Sequence, residues 1–396
     1  MKTELLMPAG NLEKLKYSLM YGADAVYIGG KVLSLRAQAS NFTIDDIKEG
    51  VEFAHSLNKK VYVTVNVIPR ESEKDLIKDY LESLERVHVD GIIVSSPAIL
   101  YMARTYTNIH VSISTQASVT NLSAIKFYSS LGANRVVLAR ELSIDEIKYI
   151  KENTDTEIEV FIHGGMCSGF SGRCTLSNYM SKRDANGGGC AHSCRWSYDI
   201  YEDDKKINTE TFKIGSKDLC AISYIKDMID AGVDSLKVEG RMKSISYVST
   251  IAYTYRTIID DIYNNDIKDN EYYLDLMGEQ VNRSASDGFL SGHISNEQTL
   301  YSKESSEATQ AFYGIVLDYN KEKSQALLEV RNFFKVGEKV EILSPGKPIR
   351  VSTIEYIINS DGVMVNEATH ALEKVTINSN IELNKHDIIR RLKWKL

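Results

Sequence analysis

The sequence predicts an α/β protein: a (βα)8 barrel of the TIM type with a cysteine-bearing insertion after its seventh strand, followed by a small C-terminal β-barrel. Three observations predict it. Over roughly the first 265 residues, short β-rich apolar runs alternate with longer amphipathic stretches, the pattern of parallel strands joined by crossover helices. Eight such runs can be counted. After residue 310 the pattern changes to short apolar strands separated by turns.

The first strand is ELLMPAG from Glu4, followed by the helix-like NLEKLKYSLMYGA, and the second is AVYIGG from Ala25. The next helix, TIDDIKEGVEFAHSLN, opens on Thr43, an N-cap residue with carboxylates in the turn behind it. Strands three to seven are KVYVTVNV from Lys60, GIIVSS from Gly91, HVSIST from His110, RVVLAR from Arg135 and EVFIHG from Glu159. The eighth, SLKVEGR from Ser235, comes late, because residues 165–234 intervene. In such a barrel the loops after the strand C-termini build the active site, so this insertion overhangs the catalytic face. A doubly wound open sheet is the alternative, but it carries a Gly-rich phosphate loop after its first strand, and MPAGNLEK is not one. The barrel is expected to span residues 1–283, a polar Ser/Gly/Asn-rich connector 284–309, and the small closed β-barrel 310–396, with SPGK and NSDG as turn signals.

Apolar residues make up 43% and charged residues 26% of the chain, the balance of a soluble globular protein. The net charge of −7 speaks against a protein that coats nucleic acid indiscriminately and leaves room for local basic patches, such as HDIIRRLKWKL from His386. MKTELLMPAGN lacks the apolar core of a secretory signal, and no window is apolar for long enough to cross a bilayer. A cytoplasmic location is expected, with neither membrane nor DNA as partner.

All five cysteines, Cys167, Cys174, Cys190, Cys194 and Cys220, lie in the insertion. Thiols stay reduced in the cytoplasm, and an odd number argues further against a disulfide framework. They sit among glycines, in HGGMCSGFSGRC and GGGCAHSCRW, where the backbone can pass close to a bound group. A zinc ribbon brings paired cysteines two to four residues apart on two knuckles, and only Cys190 and Cys194 approach that. An iron–sulfur cluster tolerates wider spacing and takes four thiolates. One thiol is then spare. Cys194 follows Cys190 by one helical turn, so both can reach the same ion; alternatively Cys220, in SKDLCAIS, folds back, although Leu219, Ile222 and Ile225 around it look like an apolar helix face. The residues alone leave the fourth ligand open.

The run EVFIHGGMCSGFSGRCTLSNYM, from Glu159 to Met180, resembles the signature of the collagenase-like peptidase U32 family. ELLMPAGNLEKLKYSLMYGADAVYIGG, SLRAQASNF around Arg36, SKRDANGGGCAHSCRW, SKDLC and SLKVEGRMKS extend the resemblance over essentially the whole chain. Despite its name the family includes enzymes that hydroxylate RNA or a quinone precursor without a flavin. The pattern here is most similar to the members that hydroxylate the wobble uridine of tRNA at C5 and depend on prephenate. The resemblance implies a 4Fe-4S cluster on Cys167, Cys174, Cys190 and Cys220 with Cys194 as the extra residue, tRNA as partner, and a paralogous chain of the same family as a second one.

Three readings follow. For RNA hydroxylation, Glu239 at the end of the eighth strand is the general acid/base candidate, with Arg241 beside it and Lys237 pointing the same way by period two. Arg36, Arg140, Arg183 and Arg241 offer bidentate guanidinium groups for a dicarboxylate or a phosphate, unless each pairs with a nearby acid, as Arg140 with Glu141 or Arg183 with Asp184. Asn66 and Gln116, after strands three and five, could hydrogen-bond a uracil edge or merely cap loops. For a peptidase, HExxH and GxSxG are missing, which leaves a Cys167 nucleophile served by His163, a residue that otherwise simply ends strand seven. A non-catalytic iron–sulfur scaffold that binds RNA or the paralogous chain predicts a capped mouth without convergent polar groups.

Overall fold

The structure, a computed structural model, describes residues 2–35, 41–209, 211–278, 285–292 and 312–392. Seven strands alternate with six helices: β1 (Glu4–Pro8), α1 (Leu12–Met20), β2 (Ala25–Gly29), α2 (Ile44–Ser56), β3 (Lys60–Val65), α3 (Lys74–Arg86), β4 (Gly91–Val94), α4 (Pro97–Tyr106), β5 (His110–Ile113), α5 (Leu122–Ser130), β6 (Arg135–Val137), α6 (Ile144–Glu152) and β7 (Glu157–Gly164). An eighth strand, Ser235–Val238, pairs in parallel with both β1 and β7 and closes the ring. The expected barrel is therefore present. Its helices form where expected: Thr43 accepts from the Asp46 amide while the Asp46 carboxylate accepts from the Thr43 amide, a reciprocal cap on α2. That helix turns Ile47, Val51 and Ala54 inward, each large aliphatic chain contributing about 1.5–3 kcal/mol when fully buried.

The barrel interior departs from the usual filling of branched aliphatics. Leu6, Ala25, Tyr27, Tyr62 and Ile93 form an apolar cluster there. Toward the strand N-termini the space is filled by charge: Arg135 of β6 donates to Glu4 at 2.7 Å and to Glu159 at 3.1 Å, and Glu159 in turn accepts from Lys237 at 2.6 Å.

β7 carries the insertion and has two irregular features. Its register against the closing strand slips, Lys237 facing Phe161 but Val238 facing His163, so one extra residue is accommodated in a bulge. Its end then pairs antiparallel with Asp218–Cys220, Leu219 opposite Gly164 and Cys220 opposite His163. Between these points the insertion holds a short helix, Leu176–Ser181, and a tight turn, Ser193–Arg195. The helix Ile225–Asp230 leads back to the closing strand, and the long helix Ile245–Tyr263 follows.

Residues 285–292, expected in the connector, belong to the barrel body: Ala285–Ser286 pairs with Asp218–Cys220, and Leu290 is buried in the barrel's apolar core. The rest of the connector lies outside the described residues, and Phe312–Arg391 forms an eight-stranded antiparallel sheet wrapped on its own core around Tyr313 and Phe334. Among the described residues no ladder joins its outer strands, Arg350–Thr353 and Met364–Val365, so the small β-barrel is a half-barrel rather than a closed one. The latter strand has two residues and is too short to wrap across. The domain docks on the barrel through Tyr21, whose hydroxyl lies 2.9 Å from the Leu343 carbonyl and 2.8 Å from that of His386. No described helix is long and apolar enough to cross a membrane.

Candidate active site at the barrel mouth

A cavity of about 140 Å³ opens at the C-terminal mouth of the barrel. Strand ends supply its floor, with Tyr27, Thr64, Lys237, Glu239 and Arg241, and the insertion supplies a wall of four thiols, Cys167, Cys174, Cys190 and Cys194. A capped mouth lacking polar groups, which a pure scaffold predicts, is not what the fold builds.

Lys237, buried in the floor, lies between the faces of Tyr27 and Phe161, 4.5 and 5.4 Å from their centroids. Glu159 holds it from below. Burial alone would raise the pKa of that carboxyl, but the charges of Lys237 and Arg135 outweigh burial and hold it below the usual range. Glu239 accepts from the Tyr27 hydroxyl at 2.9 Å. The Arg241 guanidinium is within 3.2 Å of the Ser34 hydroxyl and 3.4 Å of that of Thr64. These contacts fix an ammonium, a carboxylate and a guanidinium at the end of one strand, as the sequence led us to expect.

Asn66 and Gln116 also line the cavity, and they hold each other: the Asn66 amide donates to Gln116 Oε1, and Gln116 Nε2 donates to the Asn66 carbonyl at 3.2 Å. Arg140 stacks on Phe161 at 3.9 Å and donates to the Gly165 carbonyl at 2.5 Å, while its Nε is buried with no hydrogen-bond partner among the described residues.

The thiols sort differently from the set that the resemblance implied. Cys194, not Cys220, joins Cys167, Cys174 and Cys190 at the cavity. The strand Asp218–Cys220 runs antiparallel to β7 and turns Cys220 to the outer side of the sheet, where it bonds to Tyr255 of the long helix. Burial pushes both the Cys194 and Cys220 thiols up, and the neighbouring Arg195 charge pulls Cys194 back. The Leu176 amide is aimed at the Cys174 sulfur at 3.4 Å. Among the described residues no three His, Cys, Asp or Glu side chains come close enough to hold one metal ion. Four thiols spread round one wall, one already receiving a backbone amide, fit a polynuclear cluster better than zinc.

His163 is the clearest correction. The bulge in β7 breaks the alternation that would have aimed it at the mouth, and the ring lies buried on the outer side, its Nδ1 3.2 Å from the Tyr255 hydroxyl. It cannot serve a Cys167 nucleophile. Burial pushes its pKa down to about 4, with Lys243 adding to the effect and Asp218 opposing it. The unfolded chain takes up this proton near pH 6.5, so the neutral ring's contribution is complete above 6.5 and is lost as pH falls toward 4. Denaturation free energies measured across that window should decline by up to about 1.4 kcal/mol per pH unit from this group. His163→Gln should flatten the decline; an unaltered profile would assign the acid sensitivity elsewhere.

Arg183 is exposed on the insertion and does not line the cavity, and Arg36 lies outside the described residues. Among the lining residues that the sequence reading passed over are His192 and Arg195, although CAHSCRW spells both. Glycine at 165 leaves room for the Arg195 guanidinium, which a Cβ there would push aside. Gly164 is needed for another reason, its φ of 100° turning the chain out of β7.

Fold and site thus define a (βα)8-barrel protein with a thiol-walled mouth and an appended β-half-barrel. The chain belongs to peptidase family U32: residues 10–300 match the model of that family and residues 308–390 the model of its C-terminal domain. It is 42% identical to the tRNA hydroxylation protein P1 of Bacillus subtilis, over 98% of this chain and 95% of the relative. It is 38% identical to the 23S rRNA 5-hydroxycytidine C2501 synthase of Escherichia coli, over 66% of this chain and 40% of the relative. A protein named collagenase from Porphyromonas gingivalis is 30% identical over 89% of each chain.

Proposed function

We propose that this protein is a cytoplasmic RNA-modifying enzyme that hydroxylates the wobble uridine of tRNA at C5, with prephenate as co-substrate and a 4Fe-4S cluster on Cys167, Cys174, Cys190 and Cys194. The observation that carries the reading is the convergence of those four thiols with Lys237, Glu239 and Arg140 on one cavity at the barrel mouth. Near-full-length similarity to a protein named for tRNA hydroxylation supports the substrate. A cluster bound there supplies one-electron redox capacity at the cavity wall.

The chain's own residues have separate tasks in this reading. The buried Nε of Arg140 and the guanidinium of Arg241 suit carboxylate groups of a small co-substrate. The interlocked amides of Asn66 and Gln116 present a fixed hydrogen-bonding edge to a base that enters unpaired. Glu239, oriented by Tyr27, is placed to accept or return a proton at its carboxylate. The collagenase-named relative keeps a peptidase reading in view, but with His163 facing outward Cys167 lacks the base which that reading required.

Deleting the gene and measuring tRNA nucleosides by mass spectrometry should show loss of 5-hydroxyuridine derivatives, restored by the unaltered gene. Unchanged nucleosides would reject this substrate, and gelatin cleavage by the purified protein would favour the peptidase. Purification of the tagged protein tests for a second family member as partner.

A further inference from the structure

We infer that the outer face of the insertion is the surface on which an unpaired RNA loop lies, with Phe170, Tyr179 and Trp196 as stacking platforms and Arg173, Lys182 and Arg183 as phosphate contacts. This deepens the proposed function and rests on it. The three rings are exposed by 44%, 81% and 41% although the segment that carries them is firmly built. The Ser177 hydroxyl and carbonyl accept from the amides of Ala191 and Arg183 at 3.0 and 3.2 Å, and Asn178 accepts from the Ala185 amide at 3.0 Å. The rings therefore stand out from an ordered backbone, three large aromatic side chains exposed within one stretch of 27 residues, Phe170 to Trp196.

Charge says what fits them. Between Gly165 and Tyr198 the only acid is Asp184, against Arg173, Lys182 and Arg183 outside the cavity and Arg195 lining it, in a chain whose net charge is −7. That acid is paired with Arg70 at 3.2 Å. A cationic, aromatic face on an acidic protein is complementary to a polyanion with exposed bases, and unpaired RNA is recognised by stacking on aromatic rings and by backbone neutralisation. The same short segment carries Cys174, Cys190 and Cys194 into the cavity wall. A loop lying on its outer face has its bases beside the entrance.

The test uses the full chain and fluorescently labelled unmodified tRNA, with binding measured over a range of salt concentrations. Tyr179→Ala and Trp196→Ala should each weaken binding roughly tenfold, with Tyr179→Phe restoring it. Arg183→Ala should reduce the slope of log affinity against log salt by about one. All these side chains are exposed, so circular dichroism should report unaltered folding. Variants that bind tRNA as tightly as the parent overturn this assignment and leave the proposed reaction standing. A parent chain that binds no tRNA overturns both.

Discussion

Glu159→Ala is expected to destabilise the fold by about 3–5 kcal/mol, because it leaves the buried Lys237 without its carboxylate and takes one of three from Arg135, which keeps Glu4 and Glu157. Arg135 and Lys237 are almost fully inaccessible to water, and Glu159 bridges them. Urea denaturation should show the loss as a lower midpoint with an unaltered slope. A more informative variant replaces Arg135, Glu159 and Lys237 at once, by Arg135→Leu, Glu159→Leu and Lys237→Met, and leaves Glu4 its bonds from the Tyr62 and Ser235 hydroxyls. Buried charge networks are often matched or exceeded in stability by well-packed apolar residues, so much of the loss should be recovered. tRNA hydroxylation should nevertheless stay absent, since Lys237 is the member that reaches the cavity. A stable triple variant that still modifies tRNA would reduce the charged column to an accident of packing.

The second large effect concerns the thiols. Cys167→Ala combined with Cys174→Ala, and Cys194→Ala alone, should each abolish iron and acid-labile sulfide in protein purified without air, and hydroxylation with them. Cys220→Ala should retain both iron and sulfide and cost only about 1 kcal/mol of stability, as a buried group outside the cavity. The opposite outcome, cluster kept without Cys194 and lost without Cys220, would return the ligand set to the one that the family resemblance implies.

Most of the barrel was legible because its signals are local. Period-two apolar runs mark the strands, Thr43 and Asp46 announce a helix start, and the long gap before Ser235 locates the insertion. Glu239, Arg241 and Lys237 were legible for the same reason, since a strand's end faces the mouth in this fold. What failed depended on a single displaced residue or on tertiary pairing. The bulge opposite Val238 leaves no trace in EVFIHG, yet it turns His163 through the sheet. Which of Cys194 and Cys220 lines the cavity is set by strand pairing across fifty-odd residues, and spacing does not encode it. The charged column did leave a sign: Glu159 interrupts the apolar run of a strand that is buried from Ile158 onward, which calls for internal partners.

The pairing of Leu219 with Gly164 brings the two ends of the cysteine-bearing segment together on one rung of the sheet. Topologically residues 165–217 form a cartridge: the barrel closes through the pairing of β7 with Ser235–Val238, a ladder in which none of them takes part. Its length enters the folding free energy only logarithmically, about 0.6 kcal/mol per doubling. Such an arrangement lets the mouth be re-equipped for another nucleobase or another acceptor by exchanging the cartridge, with no rewriting of the barrel beneath.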